Sequence, residues 1–446
     1  MPRSDPSPLL TAPLSRRRFL AGAAGAAGAL AIGQSSTLAA RAATSSSSGI
    51  DHIVLVTMEN RSFDHFLGWL PNADGLQSPK PRFKTASGQL IGNHHLTETM
   101  GCGHPDPDHS YEGGRYQLDG GRLDNFARGN NDAFAVGYYT AADRPFMSQL
   151  ALNYTTCDRY FCGIMAETYP NRFYTHAGRT DRLHNTTTTS TLPTIWDQLN
   201  RPGGPTGRYY FSDIPFLALW GTKYVSISSP YEGFLADAAA GTLPNVSYLD
   251  PRFEDEGSGT SGDDHPHSDI RSGDAFLAQV FHAVSTGPNW DRTVFIITYD
   301  EWGGFYDHVV PPRVTATSPL DKDLVDGRAR LGYRVPCIVA SPWTKGDPHH
   351  PRVDHSLYDH TSILKLITST FRLRPLTARD ASRSNKDPGN LAWLLHRGAG
   401  DASVPGSIPT FLAPPVVNPC GPTDPMPVDG TWSGLRTSGL LKGWPV

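Results

Sequence analysis

Two residue pairs at the ends of apolar runs carry the chemistry on offer. "IITYDEWGGFYDHV" (296–309) stops an apolar run abruptly in Asp300 and Glu301. Adjacent carboxylates repel and lose hydration when buried, so a chain that sets them at a strand end usually supplies a cation. "MENRSFDHFLG" (58–68) ends an earlier run in the same way, with Glu59 and Asn60. A carboxylate beside an amide oxygen suits a hard divalent ion; Asn60 would equally cap a helix running through Phe66. A third stretch, "CGIMAETYPNRFYTHAG" (162–178), sets Thr168 ahead of Asn171 and Arg172. A threonine hydroxyl is a poor nucleophile until a metal or base lowers its pKa, and an arginine fork suits phosphate oxygens. The plain alternative is a threonine that opens a helix.

Acidic loops hold further candidates. "GCGHPDPDHSYEG" (101–113) brings His104, Asp106, Asp108 and His109. "SGDDHPHSDIRSGDAF" (261–276) brings Asp263, Asp264, His265, His267 and Asp269, and "VDHSLYDHTSIL" (353–364) brings His355 and His360. Many of the 17 histidines are expected to be structural. No HExxH zinc helix, GxSxG elbow or GxxxxGK[ST] loop is present.

Strands and helices must position these groups. "IDHIVLVTMEN" (50–60), "TVFIITYDE" (293–301) and "VPCIVASPW" (335–343) read as buried parallel strands. "PFMSQLALNYTT" (145–156), "LPTIWDQLN" (192–200), "SGDAFLAQVFHAVST" (272–286) and "YDHTSILKLITSTF" (358–371) read as amphipathic helices. The third keeps Phe276, Val280, Ala283 and Val284 on one face. This alternation predicts an α/β fold with a mostly parallel central sheet, whose ligands sit beyond the carboxyl ends of the strands. Both polar pairs fall there. Stretches 72–135, 201–270 and 304–330 read as long loops walling a substrate site.

The N-terminus resembles a twin-arginine export signal: Arg16 and Arg17, an Ala/Gly-rich apolar run, then "ARAA" (40–43) as a cleavage site. Residues 1–42 carry five arginines and one aspartate, so their removal takes the formal net charge from −4 to −8. No basic footprint for nucleic acid exists, and nothing implies a protein partner. The expected division is a signal (1–42), a flexible linker (43–49), a catalytic domain (50–398) and a Pro-rich extension (399–446) packed irregularly on the core. Five cysteines are too few for a disulfide scaffold. One or two bridges would form after export, with pairing open, and Cys157 and Cys162 read as buried thiols.

"DHIVLVTMENRSFDHFLG", "DRYFCGIMAETYPNRFYTHAG", "DDHPHSDIRSGDAFLAQVFHAV", "ITYDEWGGFYDHVVPP" and "YDHTSILKLI" together resemble the successive blocks of the bacterial phosphoesterase family, which holds phosphatidylcholine-cleaving phospholipases C and related acid phosphatases. The resemblance runs from about residue 50 to about 375. It implies an alkaline-phosphatase-like three-layer α/β/α sandwich. It implies metal ligands at Glu59, Asn60, Asp300 and Glu301, with Thr168 as both nucleophile and ligand. His265 and His308 would contact phosphate or leaving group, with His109 and His360 carried over beside them. Some relatives have Asp at Glu301. The chain resembles the compact family members, so phosphodiester cleavage is a firmer expectation than membrane lysis.

The expected reaction is two-step phosphoryl transfer through Thr168, with a divalent cation (Ca, Mn, Mg or Zn) and with His265 protonating the leaving alkoxide. The substrate would be a phospholipid, met in transient contact with a membrane surface, or another phosphate ester. Asn171, Arg172, His109 and Trp302 are the expected substrate contacts, and Tyr138, Tyr139, Trp302 and Phe305 the walls of a choline cage. Competing readings are an acid phosphatase using the same threonine, and a secreted phosphate- or metal-binding protein without turnover.

Overall fold

The computed structural model describes residues 49–395, 399–421 and 431–446. The signal-like segment, and all but the last residue of the expected linker, lie outside them. An eight-stranded sheet forms the centre. In chain order its strands are β1 (His52–Met58), β2 (Thr155–Cys157), β3 (Gly207–Phe211), β4 (Ser228–Pro230), β5 (Val246–Asp250), β6 (Thr293–Tyr299), β7 (Cys337–Ala340) and β8 (Val353–Asp354). The spatial order is β8-β2-β7-β6-β1-β5-β3-β4. Seven of these strands run one way, and β7 is antiparallel to both neighbours. The fold is therefore α/β with a mostly parallel sheet, as expected. The strand in 335–343 is real but reversed, because an apolar run records burial and not direction.

β1 and β6 are central neighbours, paired in parallel from His52–Thr293 to Met58–Tyr299 and buried throughout. Strands buried on both faces need continuous apolar side chains, which is why these two were legible. Each fully buried aliphatic contributes about 1.5–3 kcal/mol relative to exposure. The stretch 201–270 is not a loop, since it holds β3, β4, β5 and a helix. "GRYYF" and "VSYLD" mix aromatic and polar residues and so hid their strands.

The helices used below are α1 (Phe63–Leu67), α2 (Pro145–Asn153), α3 (Thr168–Ala177), α4 (Tyr231–Ala240), α5 (Ile270–Thr286), α6 (His360–Phe371) and α7 (Thr431–Thr437). They flank the sheet, with α2 and α4 packed on α5, and α3 on α6. The buried stripe of α5 runs through Ile270, Leu277, Val280, Phe281 and Val284, with Phe276 at its edge. Asp274, buried on that stripe, accepts the Phe146 and Met147 N–H groups at 2.8 and 2.9 Å. It thereby satisfies the open start of α2, whose N-cap residue Arg144 makes no side-chain cap. α6 starts on Asp359 in a capping box with Ser362. The helix expected at 192–200 is only a 3-10 turn, Ile195–Asp197. In the C-terminal extension, residues 399–421 are irregular, but α7 is a helix. Among the described residues no helix is long and apolar enough to cross a membrane.

Candidate active site

Glu59 and Asn60 leave β1 at the carboxyl edge of the sheet, and Asp300 and Glu301 leave β6 beside them. The two strand ends are stitched together. The Asp300 N–H donates to the Met58 carbonyl and the Arg61 N–H to the Glu301 carbonyl, both at 3.0 Å. The Asn60 N–H donates to Asp300 Oδ1 at 3.1 Å, across 240 residues of sequence. Asn60 turns with φ 61°, a left-handed conformation that asparagine tolerates better than most residues. Gly303 backs onto that turn, and a Cβ there would fall 1.9 Å from the Asn60 carbonyl oxygen. Only glycine lets the two turns touch.

Thr168 opens α3, and its Oγ1 donates a long hydrogen bond of 3.4 Å to Asn60 Oδ1. One turn further, Arg172 points at the carboxylates. Its Nε donates to Asp300 Oδ2 at 3.1 Å and Nη1 to Asp250 Oδ1 at 2.8 Å. Nη2 donates to the Thr57 carbonyl at 3.2 Å. With the side chain 2% exposed, Arg172 is an internal counter-charge, not the expected phosphate fork. Asn171 differs from expectation too: Nδ2 donates to the Ala166 carbonyl (2.7 Å) and Oδ1 accepts from the Ile164 N–H (3.0 Å). It braces the loop that delivers Thr168.

The electrostatics leave negative charge uncompensated. Arg172 brings one positive charge to Glu59, Asp250 and Asp300. Burial, and then the neighbouring Asp300, hold Glu59 well above the ordinary carboxylate range; burial does the same to Glu301 against the pull of His109. Glu59 Oε1 lies 3.2 Å from Arg172 Nη2 without hydrogen-bond geometry, and Glu301 Oε1 has no donor among the described residues. Buried acceptors without donors are rare and costly. The donorless Glu59 and Glu301 oxygens, with the Asn60 amide and Thr168 hydroxyl oxygens, are the donor types of a hard divalent cation, so the residues fit one in chemistry. Asp300 already accepts from the Asn60 and Glu301 N–H groups and Arg172, and the carboxylates grouped with Glu59 within 4.8 Å are Glu256 and Asp263.

His109 stands over this group. Its Nδ1 meets the Pro107 carbonyl at 2.7 Å, which leaves Nε2 facing Asn60 Nδ2 at 3.4 Å and Glu301 Oε1 at 3.9 Å. Burial pulls His109 down, but Glu301 and Asp106 outweigh it and take it up to about 10. His265 packs edge-on against His109 with ring centres 6.1 Å apart, and burial, then His109, keep it well below its ordinary value. The ligand atoms of Asp106, His109 and His265 lie within 4.8 Å of one another, as do those of Glu59, Glu256 and Asp263. His360 acts from below: its Nε2 meets the Asp300 carbonyl at 2.6 Å and its Nδ1 the Tyr160 hydroxyl at 3.1 Å.

His308 is elsewhere. It lies 2.6 Å from Asp64 and 3.2 Å from Asp74, in a cluster with Asp307 and Arg334. The expected aromatic cage does not form. Trp302 is fully buried with its indole N–H on Gln117 Oε1 at 2.9 Å, and Phe305 stacks on His65. Tyr139 is buried with its hydroxyl on the Glu98 carbonyl, which leaves Tyr138 half-buried without the other walls.

Sequence reading missed several neighbours. Asp250 and Glu256 sit in the stretch taken for loop, and Trp432 sits in the Pro-rich tail. Cys102 pairs with Cys420, while Cys157, Cys162 and Cys337 are buried thiols.

Relatives agree with what such a group of residues can do to a phosphate ester. The chain is a phosphoric ester hydrolase. It belongs to the Phosphoesterase family, which matches residues 50–212 and 200–374. Non-specific phospholipase C1 of Arabidopsis thaliana is 32% identical over 371 residues, covering 74% of this chain and 69% of that protein. Phospholipase C A of Mycobacterium tuberculosis (strain ATCC 25618 / H37Rv) is 30% identical over 399 residues, covering 72% and 73%. Among solved structures, a protein in the alkaline phosphatase superfamily from Vibrio parahaemolyticus is 14% identical, with 55% of this chain and 65% of that chain covered and a TM-score of 0.36. At that distance it is a likeness only, and the architecture rests on the topology above.

Proposed function

We propose that the chain is an exported, metal-dependent phospholipase C that cleaves the glycerol–phosphate ester of phosphatidylcholine-like lipids through Thr168. The observation that carries this reading is the Thr168 hydroxyl on Asn60, at the junction of the 59–60 and 300–301 pairs. A pure phosphate or metal binder has no use for a hydroxyl placed there. The names of the relatives support the lipid class.

Glu59, Asn60, Asp300, Glu301 and the Thr168 oxygen would hold a divalent cation, which would supply positive charge to lower the threonine pKa and to oppose the phosphate oxygens. The Thr168 hydroxyl releases its proton to solvent and Oγ attacks phosphorus, forming the Oγ–P bond as the P–O bond to glycerol breaks in line. The departing alkoxide takes a proton from the facing His109–His265 pair. His109, held up to about 10, is the member that carries it, in place of the expected His265, which burial and His109 keep unprotonated. Water then attacks phosphorus, the Oγ–P bond breaks, and the threonine hydroxyl and the headgroup phosphate are released. Arg172 holds Asp300 throughout, and Asn171 holds the loop before Thr168.

Hydrolysis of p-nitrophenyl phosphorylcholine against p-nitrophenyl phosphate tests the ester class. A clear preference for the diester is expected, and exclusive monoester turnover would replace this reading with an acid phosphatase. Export by the twin-arginine route is tested by Arg16→Lys with Arg17→Lys: the protein should stay inside the cell, and undiminished export would reject the signal.

A further inference from the structure

The C-terminal segment reaches the carboxylates from outside the matched family region. Trp432, on α7, is 2% exposed, and its Nε1–H donates to Glu59 Oε2 at 3.4 Å. A buried indole N–H needs an acceptor, and this one has taken a carboxylate oxygen. The ring is itself fixed. It stacks on Phe253 with centroids 3.8 Å apart and planes 6° from parallel. Tyr169, the residue after Thr168, meets it edge-on at 5.4 Å. The Arg172 guanidinium lies over both rings, 4.7 Å from Phe253 and 5.6 Å from Trp432. One indole therefore borders Glu59, the counter-charge beside it and the neighbour of the nucleophile.

The segment is fastened on each side. Arg436 pairs with Glu254. Cys420 donates its N–H to the Ser258 carbonyl at 2.8 Å and is bonded to Cys102, on the loop that carries His104, Asp106 and His109. Residues 253–258, Trp432, Ser433 and Arg436 border a cavity of about 380 Å³. Glu256 on its wall brings a carboxylate into the group with Glu59 and Asp263.

We propose that Trp432 is a positioning residue for Glu59, holding one carboxylate oxygen so that the other faces the metal. The proposal rests on the reading of Glu59 as a ligand. Partners that orient a ligand from behind are worth about 10–100-fold in metal affinity.

The test titrates Mn²⁺ into metal-free wild type, Trp432→Phe, Glu59→Gln and the double variant. Phenylalanine keeps an aromatic ring for Phe253 and removes the N–H. Trp432→Phe should weaken Mn²⁺ binding about tenfold, with an unchanged circular-dichroism spectrum and thermal midpoint, and should add nothing in the Glu59→Gln background. Wild-type affinity in Trp432→Phe, with Glu59→Gln impaired, would overturn the proposal and leave the ligand reading standing. An equal loss with and without Glu59 would overturn it as well, since the indole would then act by another route. Unimpaired binding in Glu59→Gln would end the ligand reading and the proposal together.

Discussion

Two buried charge clusters flank the turn from β1 into α1, and only one is finished. In the first, Arg334 donates to Asp64 Oδ1 at 3.0 Å and to Asp307 Oδ1 at 2.9 Å, and His308 lies 2.6 Å from Asp64 Oδ2. Backbone N–H groups of Leu76 and Val309 take further lone pairs at 2.9 and 3.0 Å. In the second, Arg172 serves three carboxylates, and Glu59 Oε1 and Glu301 Oε1 are left without a donor among the described residues. A satisfied cluster is a staple. An unsatisfied one costs stability and makes sense where a ligand completes it.

The largest effect should come from Thr168→Ala. Loss of an attacking nucleophile typically costs kcat about 10⁴-fold or more, and here the thermal midpoint should not move. Residual turnover within tenfold of wild type would return Thr168 to the role of a helix opener. Next comes Arg334→Met, which strands Asp64 and Asp307 in the interior. A loss of about 3–5 kcal/mol in denaturant unfolding is expected; wild-type stability would mean that the first cluster is no staple.

The unfinished cluster should also show in the pH dependence of chelated protein. Glu59, Asp300 and Glu301 are raised in the fold, so the folded state keeps protons that the unfolded chain has released. Their contribution makes stability fall as pH climbs above the ordinary glutamate value of 4.5, with recovery on acidification. The chelated thermal midpoint should therefore drop with rising pH, and Mn²⁺ should flatten the profile. The same slope with and without metal would contradict this. The smallest effect is expected from His308→Ala, about 1–3 kcal/mol of stability from its charge-assisted hydrogen bonds. Its kcat should stay within about threefold of wild type, and a Thr168-sized loss would bring His308 back into the reaction.

These contrasts explain what the sequence could show. β1 and β6 were legible because burial on both faces writes an unbroken apolar run, and their polar ends marked the site. His308 was carried over from the family resemblance alone, and its partner Asp64 lies 244 residues away, a pairing with no local signal. Arg172 beside Thr168 looked like a phosphate contact. Its carboxylate Asp250 belongs to β5, 78 positions on, and nothing local announces that pairing. In 192–200 the apolar spacing of Leu192, Ile195 and Leu199 imitates a helix, but the box of Thr194 and Asp197 closes a single turn. Trp432 was hidden by composition, because a Pro-rich tail reads as irregular wherever it lands.

The proposed function needs the 59–60 and 300–301 pairs to share one divalent ion. Metal analysis of equilibrated wild type, Glu301→Gln and Asp64→Asn tests it most directly. Glu301→Gln should lose the bound ion while Asp64→Asn, destabilised or not, keeps it when folded. Full metal in Glu301→Gln, or its loss in folded Asp64→Asn alone, would contradict it.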